Sequence, residues 1–107
     1  MKIDLSVLDR VLLLHHIPRM IGDATTLRVL RDFEHDLGFT EEEHKLLNFR
    51  TDENGTHWDP GVEAKTLDIG PKCLECVKAL LHRLDKTQQL TMDLLPTYDK
   101  FMGPKEQ

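Results

Sequence analysis

The residues of this chain best suited to chemistry are two cysteines and six histidines. Cys73-Leu74-Glu75-Cys76 is a C-x-x-C, a spacing that serves as a redox pair at a helix N-terminus or as half of a zinc site. Zinc needs two more ligands, yet no second C-x-x-C or paired H-x-x-x-H accompanies it. His15 and His16 are adjacent, while His35, His44, His57 and His82 are scattered singly. A redox pair needs an exposed attacking sulfur, but Cys73 falls in one helical stripe with Val77, Leu80 and Leu84. The pair therefore reads as two small buried or half-buried apolar side chains, and no metal or cofactor is expected. His35 and His44 flank one helix junction near Asp36 and Glu41, a set able to hold a metal or move a proton only if the fold makes it converge. No G-x-S-x-G, phosphate-cradling glycine loop or H-E-x-x-H occurs. The lack of any compact catalytic signature in so short a chain points to a binding protein, not an enzyme.

These residues must be carried by a chain of 107 residues, enough for one domain with its own apolar core. A single globular domain is expected over 1–103, with a frayed tail at 104–107. The charged fraction is 31% and the hydrophobic fraction 39%, which suits a soluble, folded protein. A net charge of −5 opposes a broad nucleic-acid or anionic-membrane footprint. Two cysteines are too few for a secreted disulfide scaffold, so a reducing cytoplasm is the default. The run Val11–Leu14 is too short to span a bilayer, and no small-residue cleavage site follows it, so neither a membrane span nor a signal peptide is read.

Five helices emerge from caps and periodicity. Ser6 and Asp9 form a capping pair, and Leu5, Leu8, Val11, Leu12 and His15 share a face of the first helix, which Pro18 ends near Ile17. Asp23 caps a second helix striped by Leu27, Leu30, Phe33 and Leu37, with Gly38 as the residue beyond its end. Thr40 and Glu43 make a capping box for a third, whose apolar face is Leu46, Leu47 and Phe49. Gly70-Pro71 starts a fourth helix that runs to about Gln88. Thr91 caps a last one over Met92–Phe101, in which Pro96 is either a kink or the true start. Asn54-Gly55 predicts a hairpin with flanks 49–53 and 56–59, and a third short strand is read at Lys65–Ile69. The fold class is α+β, mainly α, with a two- or three-stranded antiparallel hairpin sheet.

The order helix, helix, short turn, helix, hairpin in the first half matches a winged helix. A recognition helix must present donors and cations to phosphates and base edges. Here the third helix opens on Glu41, Glu42 and Glu43, and the hairpin tip Asp52-Glu53-Asn54 is acidic too. DNA reading therefore stands second, and nucleic acid is not the expected partner. Trp58, the only tryptophan, either packs the hairpin on the helices or anchors a partner together with His57. Tyr98 and Phe101 near the C-terminus pose the same alternative. All four are candidate partner contacts.

The segments LSVLDRVLLL, TLRVLRDFEHDLGFTEEEHKLLNF, LDIG and ALLHRLDKTQQLTMDLLPTYDKFM resemble a group of small phage and prophage proteins of unassigned function. The resemblance covers most of the chain. The Gly70–Cys73 stretch departs from it, because the cysteines are not a feature of the group. It implies a phage-encoded accessory protein acting inside a bacterium. Combined with the residue-level reading, the expectation is a non-enzymatic interaction protein of the bacterial cytoplasm, either a subunit of a homo-oligomer or an inhibitor of a host factor.

Overall fold

Two cap signals and one proline set the first third of the chain. In a computed structural model that describes residues 1–103, Ser6 accepts from the Asp9 N–H, and the Asp9 carboxylate accepts from the Ser6 N–H. This reciprocal cap fixes the start of helix α1, Val7–His16, and a 3-10 turn at Ile17–Arg19 contains Pro18 and ends it. Asp23 caps α2, Ala24–Leu37, through the Thr26 N–H. Thr40 and Glu43 cap α3, Glu41–Leu47, reciprocally. Pro71 opens α4, Pro71–Lys86, and α5 spans Leu95–Met102. Pro96 is the second residue of α5, so the proline marks a helix start and not a kink, and residues 92–94 precede the helix instead of belonging to it.

Among the described residues four short strands complete the α+β architecture. The expected hairpin is a two-stranded antiparallel sheet, and the strand read at Lys65–Ile69 belongs to a second two-stranded antiparallel sheet instead of extending the hairpin. Strand β1, Lys2–Leu5, had no counterpart among the expected elements, because Leu5 fits the periodicity of the first helix as well as that of a strand. It pairs with β4, Lys65–Asp68, in the register Ile3↔Leu67 and Leu5↔Lys65. Ile3 and Leu5 point to the core, while Lys2 and Asp4 face out. Strands β2, Arg50–Asp52, and β3, Gly55–His57, pair only with each other. Their register centres the turn on Glu53-Asn54, one residue earlier than expected. Only Gly55 uses positive φ, at +116°, and Asn54 is held by a bond from its N–H to the Asp52 carboxylate.

One core cluster runs from Ile3 to Phe101 and joins β1, all the helices except α3, and Ile69 after β4. Its centre is α4, where Cys76, Val77, Leu80, Leu81 and Leu84 recur at helical spacing on the buried side. Leu30, Phe33 and Leu37 of α2 face it, whereas Leu27 is exposed. In α3 Leu47 is buried and Leu46 is exposed. The largest departure is in α1. Its fully buried face is Val7, Asp9, Arg10 and Leu13, and His15 lies in solvent. Two charges therefore occupy the inner face of the first helix, because each finds a complete set of partners there.

Candidate functional site

Arg10 has no solvent exposure and organises the corner between α2 and α3. Its Nε donates to the Leu37 carbonyl at 3.0 Å and its Nη2 to the Gly38 carbonyl at 2.7 Å. Both terminal nitrogens grip the Glu43 carboxylate, at 2.9 and 3.1 Å, in a bidentate pair. The guanidinium also lies over the Phe39 ring, 4.0 Å from its centroid. Gly38 takes an ordinary φ of −57°, so its carbonyl, not a left-handed turn, is what the corner uses. Arg10 holds the Glu43 carboxyl down to about 2, although partial burial pushes the other way. Glu43 thus serves both as the N3 partner of the Thr40 cap and as the counter-ion of a buried arginine.

Aromatic rings continue outward from Arg10. Phe39 meets Phe49 edge-to-face at 5.2 Å, and His44 meets both rings, at 6.0 and 5.6 Å. Phe49 then meets Trp58 at 6.0 Å. Asn48, in the left-handed region at φ +48°, ends α3 and turns the chain into the hairpin. The hairpin base is closed by the Asp59 N–H on the Leu47 carbonyl at 2.7 Å, and by Arg50, which bonds the Asp59 carboxylate and the Asn48 carbonyl. Behind Trp58 lies an open, mainly apolar cleft of about 310 Å³, walled by Val7, Leu8, Leu47, Pro60 and Val62.

Every residue of β2 and β3 is exposed. The ribbon stands clear of the body, with solvent on both faces and ladder groups unpaired along its two outer edges. His57 is on this ribbon, and its Nε2 lies 3.1 Å from the Asp52 carboxylate. Trp58 is half-buried at its foot. Tyr98 and Phe101 are elsewhere: they are 8% and 2% exposed, packed in the core of α5 against α4, with the Tyr98 hydroxyl 3.5 Å from Asp85. Of the four candidate contacts, only His57 and Trp58 offer surface to a partner in this fold. Tyr98 and Phe101 recur at the spacing of a packed helix face, which outweighs their aromatic character.

Cys76 is buried and Cys73 half-buried, and burial pushes the Cys73 thiol up to about 11, with Cys76 and Asp36 adding to the effect. A thiol so held is a poor nucleophile at neutral pH. Asp36 faces the cleft between α2 and β4, while His44 belongs to the aromatic group, so the set His35, Asp36, Glu41 and His44 does not assemble. Among the described residues no three metal-capable side chains cluster.

Sequence reasoning read Asp9 only as the capping partner of Ser6 and missed that Asp9 and Arg10 are both buried and reach distant elements. Asp9 lies 2% exposed and accepts from Ser6, Thr97 and Lys100, so it ties α5 to α1 while Arg10 ties down α3. Burial pushes the Asp9 carboxyl up, but the bonds from Lys100, Thr97 and Ser6 outweigh it and hold the group below its ordinary value. A signal existed: Val7, Arg10, Leu13 and Ile17 recur at steps of three and four, which places Arg10 on the core stripe. No protein family, curated protein or solved structure matches the chain.

Proposed function

We propose that the chain is a non-enzymatic accessory protein that acts by protein–protein contact, through the hairpin Arg50–His57 and the Trp58 surface at its foot. The observation that carries this reading is the ribbon itself. An isolated two-stranded hairpin is marginal in water, and this one is exposed on both faces yet braced at its base by Phe49, Trp58, Arg50 and Asp59. Bracing a ribbon that adds nothing to the core makes sense if a partner completes it, by strand addition at an open edge or by contact with Trp58. The segment resemblance supports an accessory role of the phage type inside a bacterium, as an oligomer subunit or a host-factor inhibitor. Among the described residues no helix is long and apolar enough to cross a membrane.

The test is site-specific photo-crosslinking in bacterial cells, with the reactive residue at Thr51 or Thr56 and, as a control, at Lys78 on α4. One discrete adduct from the hairpin positions, missing from Lys78 and reduced by Trp58→Ala, is the expected result. Identical adducts from all positions, or none from the hairpin, would refute it.

A second reading is a winged-helix DNA binder, favoured by the realised order α1, α2, α3, hairpin. Against it stand the exposed Glu41 and Glu42 at the tip of α3 and the acidic ribbon tip. A gel shift at low salt, where phosphate contacts are strongest, separates the two readings.

A further inference from the structure

The chain holds two asparagines, Asn48 and Asn54, and the fold treats them differently. Asn48 ends α3. Its N–H bonds the His44 carbonyl, its carbonyl accepts from Arg50, and the residue after it, Phe49, is a half-buried ring packed on Phe39 and Trp58. Asn54 stands in water at the turn of the ribbon and is followed by Gly55. Nothing lies within 4 Å of the place a Gly55 Cβ would take. Asp52 holds the backbone N–H of Asn54, while no described residue bonds its side-chain amide.

We infer that Asn54-Gly55 is a site of self-modification, at which the Gly55 backbone nitrogen closes on the Asn54 side chain. The bond formed joins that nitrogen to the side-chain carbonyl carbon of Asn54. The bond broken is the one from that carbon to the side-chain nitrogen, which leaves as ammonia with the proton of the Gly55 N–H. The product is a cyclic imide. Water then opens the ring at either carbonyl. Opening at the side-chain carbonyl gives an aspartyl residue, and opening at the backbone carbonyl gives an isoaspartyl residue, whose main chain runs through the former side chain. Water is the sole co-reactant, and nothing is oxidised or reduced. Glycine permits the closure, because it has no Cβ to hinder the approach and the least restricted backbone. The fold supplies the second condition. Gly55 pairs with Asp52 in the last rung before the turn, beyond only Thr51↔Thr56 and Arg50↔His57. Every residue of both strands is exposed and none joins the core, so opening of this rung belongs to the low end of local stabilities. Opening frees the Gly55 nitrogen without unfolding the body. Either product sets a carboxylate beside Asp52 and Glu53, so three anions crowd the tip. The isoaspartyl form also lengthens the main chain of the turn, and the Asp52↔Gly55 register is lost with it. Conversion therefore switches off the ribbon contact; this consequence rests on the hairpin reading above, whereas the modification itself does not.

Ageing the purified full chain at mildly alkaline pH in heavy-oxygen water, followed by mass spectrometry of tryptic peptides, tests the inference. Cleavage after Arg50 and Lys65 releases 51–65, in which Asn54 is the sole amide side chain, and cleavage after Lys45 and Arg50 releases 46–50, which carries Asn48 as an internal control. Heavy oxygen is expected to enter at position 54, with an isoaspartyl product, at least about tenfold faster than at Asn48. Equal rates at the two asparagines overturn the site, as does an Asn54 that stays intact while the urea-unfolded chain converts. The switch is read separately, by adding fresh and aged chain with the photoreactive residue at Thr51 or Thr56 to bacterial lysate. The crosslinks should fade in the aged wild type and persist in aged Asn54→Gln. Crosslinks that survive full conversion overturn the switch. Their absence from the fresh chain overturns the hairpin reading, and the switch with it, but leaves the modification standing.

Discussion

Arg10 and Asp9 are neighbours in sequence whose charges reach different elements of the fold. Arg10 neutralises two carbonyls and a carboxylate at the α2–α3 corner, and Asp9 collects Thr97 and Lys100 from α5. A buried ion pair adds little over a well-packed apolar pair, but removing one partner strands the other. Arg10→Ala is therefore expected to cost about 3–5 kcal/mol in urea unfolding, because it leaves the Leu37 and Gly38 carbonyls without their donor. Glu43→Gln should cost less, about 1–2 kcal/mol, since Glu43 keeps solvent contact that screens the pair. Both carboxyls titrate lower in the folded chain than in the unfolded one. Their stabilisation is complete above the ordinary carboxylate range and is lost as pH falls through the folded values, toward about 2 for Glu43. Thermal melts should thus show wild type and Glu43→Gln separated at neutral pH and converging near pH 2. A constant gap across that range would mean that the Glu43 charge contributes nothing.

At the scale of elements, the hairpin is a unit apart. It shares no face with the core, and its shape rests on two backbone positions, Asn48 at φ +48° and Gly55 at φ +116°. A Cβ at Gly55 would meet open space, so any penalty there is purely one of backbone conformation. Gly55→Ala is expected to raise amide hydrogen exchange across β2 and β3 while α4 keeps its protection and the global melting temperature barely moves. A matching loss of protection in α4 would show that the ribbon is part of the cooperative core. A hairpin at Asn54-Gly55 was legible from the sequence, but not that its turn centres on Glu53-Asn54 with Gly55 already in β3. That the glycine alone would use positive φ, with Asp52 bonding the Asn54 N–H, depended on the register with Arg50 and His57.

For the molecule as a whole, α4 is the axis on which α2 and α5 pack, and Phe101 is buried against it at 2% exposure. Phe101→Ala should cost about 3–5 kcal/mol, a large share of the stability of a domain this size. Trp58→Ala, at the foot of the ribbon, should cost much less and act instead on partner contact. Chemical denaturation of the two variants side by side tells core from contact surface. Equal losses would place Trp58 in the core and remove the aromatic part of the proposed interface.

Capping chemistry acts within a few residues, so the sequence by itself determined most helix starts. Ser6, Asp23, Thr40 and Pro71 are each where a free N–H must be met or where a missing one is harmless, and the structure uses all four. Helical spacing likewise marked the inner faces of α2 and α4, because apolar burial is written in period. Pairing across the chain carries no such local mark. Whether Leu5 belongs to a helix or a strand depends on β4, sixty residues away, and whether Arg10 lies inside depends on Leu37, Gly38 and Glu43 arriving to meet it. Only the tertiary structure supplied those partners, because a buried charge is stable solely where distant donors and acceptors converge on it.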